Sequence, residues 1–405
     1  MLINLSPLKK YPDFRNLYFG QFISFMGSMM SYVAVPYQIY QLTKDNWYVG
    51  VLGIVQLVPI LIFGIVGGAI ADRINRKKLI LVSEILMAVV TMLLGVNAFM
   101  PEPSVIVIFI LVALLQAVLG FHRPAMEAMT QKMVMTEDYP SIGALGSFRY
   151  SVGAITGPAI GGIIISMFGV KVTYLIDLAT FIVAILFLIQ IRRSPDPEKS
   201  ESSTLQSALE GLRFALSKPE LVGTYVIDIV AMVFAFPVAL YPAMSEKFGG
   251  AQAAGYLFSA MALGALIMTI FSGWTNQVKW QGRAVILAAL FWGVFIIAVG
   301  FSESFWLTIL FLAMAGAADM VSGLFRQTIW NQSIPNSIRG RMSGIEMVSY
   351  MSGPLIGNAR AGWMASKYSV SISLWSGGII CVFTILVTVL LLPHFWNYYS
   401  SRSSS

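Results

Sequence analysis

The sequence predicts an all-α membrane protein whose twelve transmembrane helices form two pseudo-symmetric six-helix halves. Three observations predict this fold: the composition, the distribution of basic residues and an internal repeat. Of the 405 residues, 57% are hydrophobic and only 11% are charged, against roughly 25% charged residues in a soluble domain. Twelve helices of ~20 apolar residues need about 240 such residues, which the composition nearly supplies. A soluble enzyme, a disordered chain and a β-barrel of short alternating strands are therefore disfavoured.

Long apolar segments place the twelve helices in order along the chain. The first six are expected at 15–41, 46–71, 78–99, 104–127, 142–168 and 172–191. The second six are expected at 219–244, 251–276, 284–301, 304–329, 342–366 and 370–393. Glycine and serine are frequent in 142–168 and 342–366, so hydropathy alone underrates these two helices.

The basic residues predict the orientation of the chain in the membrane. With both termini in the cytoplasm, 20 of the 26 lysines and arginines lie in cytoplasmic segments. The external loops hold only Lys44, Lys171, Lys247 and Lys367. Because cytoplasmic loops carry an excess of positive charge, this asymmetry indicates cytoplasmic N- and C-termini and an even number of spans. We expect a multi-pass membrane protein.

One polar segment separates the predicted halves. Residues 1–190 are expected to form the N-terminal bundle, 191–218 a cytoplasmic linker and 219–405 the C-terminal bundle. Ser194 to Ser203 is polar, charged and proline-containing, which is typical of a flexible connection. Apolar residues recur on a partly amphipathic pattern from Leu205 to Leu216, which predicts a short helix at the inner membrane surface.

Landmarks repeat at similar offsets in the two halves. Gln116, Gly120 and Arg123 have the same spacing as Asp319, Gly323 and Arg326, 203 residues later. Asp72 corresponds to Asn276, and Gly157-Pro158 to Gly353-Pro354. Such a repeat predicts two halves related by an axis along the membrane normal, which is the geometry of a transporter that rocks around a central cavity.

Several kinds of site are excluded by composition. Cys381 is the single cysteine, and His122 and His394 are the two histidines, so no cysteine or histidine cluster for a metal is expected. The chain has no phosphate-binding loop signature. No enzymatic nucleophile–base pair is apparent, and we expect no cofactor. The net charge of +7 reflects the cytoplasmic loops, so no nucleic-acid partner is expected.

The segment after the second helix carries the strongest local motif. Its sequence is Gly68-Ala-Ile-Ala-Asp72-Arg73-Ile-Asn-Arg76-Lys77-Lys78. Charge alone leaves a simple positive-inside loop as an equal alternative. The full spacing resembles the loop signature G-x-x-x-D-R-x-x-R-[KR] of the major facilitator superfamily, with Asn75 where that family usually has glycine. The resemblance implies a gate at the cytoplasmic side that Asp72 helps to hold in one state.

The predicted fifth helix contains a second motif, a glycine face with a proline. Gly153, Gly157 and Gly161 recur every four residues, and Pro158 and Gly162 complete the motif. Small residues at this spacing let a neighbouring helix approach closely, which by itself is ordinary packing. In context the segment resembles the antiporter motif of drug-exporting major facilitators, with Ala144 in place of its first glycine.

A narrower resemblance extends over most of the chain, most densely its first half. It is carried by Asn4-Leu-Ser-Pro-Leu-Lys, Phe14-Arg15, Val35-Pro36-x-Gln38-Ile39, Trp47-x-Val49-Gly50 and Pro101-Glu-Pro-Ser104. These segments resemble the enterobactin (siderophore) exporter group. The resemblance implies a secondary active exporter, driven by proton antiport through alternating access, for a siderophore-like or amphipathic small molecule. The resemblance also implies a location in a bacterial inner (cytoplasmic) membrane. We expect a monomer whose partners are this substrate, protons and the lipid bilayer.

Charged residues inside predicted spans are the candidates for coupling and for substrate contact, because charges are costly there and usually functional. The proton-coupling candidates are Asp228, Asp319, Glu84 and Asp177. The alternative is that each acid pairs with a basic or hydroxyl neighbour for structural reasons. Asp319, for example, lies two turns from Arg326 on the same helix face.

Two arginines and a polar stripe are the candidates for the substrate cavity. Arg149 and Arg360 lie inside predicted helices, where they either attract an anionic substrate or pair with Glu84 or Glu346. The first helix carries a polar face with a tyrosine alongside: Gln21, Ser24, Ser28, Ser31 and Tyr32. Such a stripe indicates either a cavity lining or small-residue packing.

Three rival functions remain open from the sequence. An importer is one of them, because no single helix determines the direction of transport. A multidrug or macrolide exporter of the same fold would bind a cation through Asp228 or Asp319 rather than an anion through arginine. A membrane sensor that keeps the fold without transporting would tolerate loss of Asp72.

Overall fold

The computed structural model describes residues 4–71, 74–192, 204–335 and 338–399. Long helices dominate, and no strand occurs in these ranges. The first four spans are α1 (Pro12–Thr43), α2 (Asn46–Ala71), α3 (Arg76–Phe99) and α4 (Val105–Lys132). They are followed by α5 (139–168) and α6 (170–189), two helices separated by a kink at Gly169 within Tyr139–Ile189. The last six spans are α7 (Pro219–Ala235), α8 (Ala251–Ile270), α9 (Gln281–Phe301), α10 (Phe305–Ser333), α11 (Arg339–Lys367) and α12 (Val370–Leu391).

The predicted all-α fold with twelve long helices is confirmed. Nine segments among the described residues are long and apolar enough to cross a membrane, and one of them, Thr136–Ile189, contains both α5 and α6. The two further helices are α1 and α11. α1 has a low mean hydropathy because its first turns are polar, and α11 is rich in glycine and serine. Glycine is again decisive between α5 and α6, because Gly169 adopts φ +77°, which an L side chain rarely tolerates.

Two predicted helices in the second half differ from the structure. The helix expected at 219–244 stops at Ala235, and the chain continues through Val238–Leu240 and Tyr241–Lys247. Pro237 has no amide hydrogen to donate and restricts the residue before it to extended backbone, which Phe236 adopts. The helix expected at 251–276 ends at Ile270 and is followed by a tighter 3-10 turn, Ser272–Gln277.

Side chains cap several helix ends. Asn75 accepts a hydrogen bond from the amide of Lys78 at the start of α3, at 3.1 Å. Ser369 does the same for Ile372 at the start of α12, at 3.1 Å. Asn97 both donates to and accepts from the backbone of Ser104 (3.2 and 3.0 Å), which fixes the predicted turn at Pro101–Pro103. These bonds satisfy polar groups that the helices leave unpaired.

The chain divides into two compact units. Unit 1 contains residues 1–44, 58–204 and 249–259, and unit 2 contains 45–57, 205–248 and 260–405. In unit 1, α1 packs along α5, whose glycines leave no room for a side chain. A methyl group at Gly157 would overlap Met29, and one at Gly161 would lie 2.9 Å from the Cα of Met30. The antiporter-like glycine face is therefore occupied by α1 within this unit.

Unit 2 repeats this arrangement between α7 and α11. A methyl group at Gly353 would lie 2.8 Å from the Cβ of Met232, and one at Gly357 would overlap the Met232 backbone. The predicted linker helix is present as Thr204–Ser217. Its Ala215 is 2% exposed and packs in a cluster with Leu221 and Trp330, so the helix is attached to this unit through one face.

Candidate functional site

The loop after α2 is only partly within the described residues. Asp72 and Arg73 of the predicted gate motif lie outside them, and Gly68 lies on α2. Arg76 is the first residue of α3 and its side chain is 4% exposed. Lys77 donates to the carbonyl oxygen of Ile191 at 2.6 Å, which ties the start of α3 to the end of α6. The role of this motif as a gate stays a prediction.

The last glycine of the antiporter-like motif makes a close backbone contact within unit 1. A methyl group at Gly162 would lie 2.7 Å from the Cα of Gly255, and one at Gly255 would lie 2.8 Å from the Cα of Gly162. In unit 2 an equivalent pair joins the start of α2 to α11, where a methyl at Gly362 would lie 2.6 Å from the Cα of Gly50. Both approaches require glycine on each helix.

A buried polar network in unit 1 surrounds Glu84 of α3. This carboxylate is fully buried and accepts a hydrogen bond from Nε2 of Gln21 at 2.6 Å. The hydroxyl of Ser24 lies 3.4 Å from its other oxygen, and Nε2 of His122 lies 3.1 Å from Oε1. Glu84 is therefore partnered by His122 and by two groups of α1, and not by Arg149, which was one of the expected alternatives.

A second carboxyl in unit 1 is held by hydroxyl groups. Asp177 of α6 is 2% exposed. Ser31 of α1 donates a short hydrogen bond to Oδ2, and the hydroxyl of Thr180 lies 3.4 Å from Oδ1. No basic side chain forms an ion pair with Asp177 among the described residues. These contacts are compatible with both expectations for Asp177, a proton carrier and an acid held by hydroxyl neighbours for structural reasons.

The polar stripe of α1 is divided between these two networks. Gln21 and Ser24 are buried against Glu84, and Ser31 contacts Asp177. Ser28 is half-buried. Tyr32 is 40% exposed, and its ring packs edge-on against Phe258 at a centroid distance of 5.3 Å. Of the predicted lining residues on α1, Tyr32 presents the most open surface.

Unit 2 brings the two remaining candidate acids to one arginine. Arg326 of α10 is 8% exposed and forms a short ion pair through Nη1 with Oδ1 of Asp228 on α7. Its Nη2 lies 3.6 Å from Oδ1 of Asp319, two turns earlier on the same face of α10. Side-chain exposure is 5% for Asp228 and 40% for Asp319. One cation therefore serves two carboxylates, of which Asp319 is the more open and the more distant.

The two intramembrane arginines differ in their surroundings. Arg360 donates from Nη1 and Nη2 to the carbonyl oxygen of Ser373, both at 3.3 Å, and a methyl group at Gly377 would reach its guanidinium. Within the described part of α11, Arg360 forms no ion pair with Glu346. Arg149 makes no hydrogen bond or ion pair within the described part of the chain. It follows Phe148 on α5 and precedes Tyr150, whose ring stacks on Phe25 at 5.7 Å.

A surface contact fixes the N-terminal segment on unit 1. Lys10 and Tyr11 both donate to Oδ2 of Asp138, at 2.9 and 2.7 Å. Hydrogen bonding to Tyr11 and then to Asp138 raises the pKa of Lys10 above its ordinary value of 10.5. Burial acts in the opposite direction and is outweighed. This lysine therefore stays charged at physiological pH.

The sequence does not indicate His122 as the partner of Glu84. The position of His122 inside α4 is the available signal, since a titratable side chain within a span needs a partner. The sequence indicates Arg326 as a partner of Asp319, and the structure adds a shorter contact to Asp228 on another helix. Among the described residues, no group of three histidine, cysteine or acidic side chains is arranged to hold a metal ion.

Comparison with known proteins identifies the relatives of this chain. A family profile described as "Transmembrane secretion effector" matches residues 3–403. The chain is 29% identical over 398 residues to the enterobactin exporter EntS of Escherichia coli, covering 97% of this chain and 96% of that protein. It is also 29% identical to EntS of Shigella boydii, over 96% of this chain and 94% of that protein.

Solved structures share the fold at low identity. The nucleoside transporter NupG aligns with a TM-score of 0.71 and 12% identity, covering 96% of this chain and 100% of NupG. A bacterial homologue of the human lysosomal transporter Spinster aligns with a TM-score of 0.73 and 15% identity, covering 98% of this chain and 100% of that chain. These likenesses concern the fold alone. The profile match covers nearly the whole sequence, and the chain therefore belongs to the transmembrane secretion effector family, within the major facilitator superfamily of membrane transporters.

Proposed function

We propose that this transporter is an exporter coupled to inward proton flow, and that the Asp228–Arg326–Asp319 cluster of unit 2 carries the proton. The cluster is the observation on which the proposal rests. Two ionised carboxylates beside one guanidinium leave a net charge of −1 in a membrane-spanning segment, where an uncompensated charge is costly. Binding one proton makes the cluster neutral, so the transporter can change between its two conformations while the cluster is protonated.

Asp319 is the better proton acceptor of the two acids. Asp228 is buried and in short contact with Arg326, so its negative charge is already compensated. Asp319 lies 3.6 Å from the guanidinium and its side chain is 40% exposed, so a proton can reach it. Protonation of Asp319 would leave the Arg326–Asp228 pair intact. In this mechanism alternating access links proton release on one side to substrate release on the other.

Transport in proteoliposomes with an imposed pH gradient tests the coupling. Asp319→Asn is expected to abolish gradient-driven accumulation while exchange at equal pH persists, because the neutral amide stands in for the protonated acid. The matched control is Glu303→Gln, which alters an acid whose side chain is 84% exposed and should leave accumulation unchanged. If both Asp228→Asn and Asp319→Asn accumulate substrate against a gradient at the normal rate, the coupling proposal is wrong.

We infer that the substrate is an amphipathic anion of the siderophore type. Support comes from the enterobactin exporters that align with almost the entire chain and from Arg149, a half-buried cation with no acid partner in the described part of unit 1. The neighbouring Tyr150 and Phe25 stack at 5.7 Å, and such rings can pack against an aromatic chelator. Arg360 is the weaker candidate, since its donors already contact the Ser373 carbonyl.

Binding measurements separate this substrate from a drug. Arg149→Gln should weaken binding of enterobactin at least tenfold and leave a cationic macrolide unaffected, whereas Lys171→Gln, at an exposed lysine of unit 1, should change neither. Loss of macrolide binding in Asp319→Asn, with normal enterobactin binding in Arg149→Gln, would favour the multidrug alternative. Absence of any transport together with an unaltered phenotype of Asp72→Ala would favour a sensor.

We propose that the protein lies in the cytoplasmic membrane with both termini in the cytoplasm, as the asymmetry of its basic residues indicates. Labelling of single cysteines introduced at exposed positions, after Cys381→Ser, tests this orientation. A label that reaches positions near Lys10 from the outside, or Lys247 only from the inside, would reverse it.

A further inference from the structure

A long apolar groove runs along α9 in unit 2. The groove has a volume of about 640 Å³ and is lined by α8, α9, α10 and the segment between α8 and α9. Arg283, Leu287, Phe291 and Phe295 follow one face of α9 at intervals of four residues. Twelve residues of helix extend about 18 Å, which is close to the ~15 Å of hydrocarbon in one membrane leaflet. We call this feature the α9 groove.

The two ends of the α9 groove differ in chemistry. Arg283 is its one charged lining residue, and it lies at the start of α9 beside Trp280. Leu287 and Phe291 are 47% and 55% exposed, so the apolar stretch opens to the surroundings of the helix bundle. Tryptophan and arginine together are typical of the membrane interface, where the ring and the charge face the headgroups.

The guanidinium of Arg283 is only partly hydrogen-bonded by the described residues. Its Nη2 donates to Oδ1 of Asn397 at 3.3 Å, whereas its Nε is buried without a hydrogen bond. Its guanidinium carbon lies 4.1 Å from the ring centre of Trp280 and 5.4 Å from that of Trp396. No carboxylate pairs with it among the described residues, and the exposed Lys279 adds a second positive charge nearby. The described residues therefore leave the charge of Arg283 without a carboxylate beside it.

We propose that the α9 groove binds one acyl chain of an anionic phospholipid, with the phosphate of that lipid at Arg283 and Lys279. The length of the groove matches a chain that extends from the headgroup region towards the middle of the bilayer. The cationic end complements the phosphate, and the Trp280 ring orients the guanidinium. Under the predicted orientation the lipid belongs to the cytoplasmic leaflet, which is the negatively charged surface that basic residues attract. The proposal concerns binding only and does not depend on the transported substrate.

Lipid titrations of delipidated protein, followed by native mass spectrometry, test the site. Phosphatidylglycerol and phosphatidylcholine with identical chains are compared. Wild type should bind phosphatidylglycerol more tightly, and Arg283→Gln should reduce that preference about fivefold, the effect of roughly one basic residue near an anionic surface. Lys367→Gln, which removes an exposed lysine at the end of α11, should keep the full preference.

A second variant separates the chain from the headgroup. Ala317→Phe places a ring in the α9 groove and should weaken binding of both lipids equally, with the preference unchanged. Glycerol phosphate, which has no chains, should not compete. If the Ala317→Phe variant does not fold, quenching of Trp274 and Trp280 fluorescence by brominated-chain phosphatidylglycerol in wild type replaces it. Unchanged preference in Arg283→Gln, competition by glycerol phosphate alone, absence of quenching, or displacement of lipid by enterobactin would each overturn the proposal.

Discussion

Removal of Arg326 is the most informative single perturbation of the charged cluster. In Arg326→Gln the buried Asp228 loses its cation, and Asp319 loses a partner at 3.6 Å. Breaking a buried ion pair from one side destabilises a protein by about 3–5 kcal/mol, because the remaining charge is uncompensated. Asp319 should contribute the smaller part, since water around its half-open side chain screens the charge. We therefore expect the free energy of unfolding to fall by an amount in the upper half of that range at neutral pH.

The two double variants assign this loss to a particular acid. Asp228→Asn combined with Arg326→Gln removes both buried charges, and we expect it to recover most of the stability, leaving a deficit of about 1 kcal/mol, which corresponds to one net hydrogen bond. Asp319→Asn combined with Arg326→Gln should recover little, because Asp228 stays buried and unpaired. Measured together with the single variants Asp228→Asn and Asp319→Asn, these proteins complete two double-mutant cycles, which isolate the coupling of Arg326 to each acid.

Unfolding in mixed detergent micelles, monitored by circular dichroism and by thermal shift, measures these differences. The variants are compared at one pH and one detergent composition. Equal destabilisation of Arg326→Gln and of its combination with Asp228→Asn would mean that the pair is not coupled. Better recovery with Asp319→Asn than with Asp228→Asn would mean that Arg326 serves Asp319 first, contrary to the distances.

Three further outcomes follow from the packing and the charges. Gly264→Ala should lower the free energy of unfolding by at least about 1–3 kcal/mol in the same assay, because its methyl group would overlap a backbone carbonyl of α10. A methyl group at Gly143 meets open space, so Gly143→Ala should be neutral or slightly stabilising. His122→Ala should lose about 1–3 kcal/mol, since it removes a hydrogen-bond partner of a fully buried carboxylate; a stable variant with unchanged melting would contradict this. At pH values below about 10.5, Lys10→Gln should have a lower melting temperature than wild type. This difference should shrink as the pH rises through the raised pKa of Lys10, because the wild-type lysine then loses its charge. A difference that grows at alkaline pH would contradict the assignment.

The sequence by itself determined the helices of this protein and its family. Each span needs about 20 apolar residues whatever its neighbours are, and backbone hydrogen bonds inside a helix are local, so twelve helices could be located one at a time. Two fixed spacings carry the family motifs, one of Gly68 with Asp72 and basic residues after α2 and one of glycines with Pro158 in α5. The same reasoning failed near Pro237. Hydropathy predicted one helix over 219–244, whereas α7 ends at Ala235.

Only the tertiary structure decided which polar side chains meet. Glu84 could have paired with Arg149, but the rotation of α3 and α4 brings it to His122, 38 residues away. Arg326 shares a helix face with Asp319, yet the packing of α7 against α10 gives its shorter contact to Asp228. Contacts between helices depend on tilt, rotation and close approach, which are properties of packed pairs. No local pattern in the chain encodes them, and so the candidates were visible in the sequence while their partners were not.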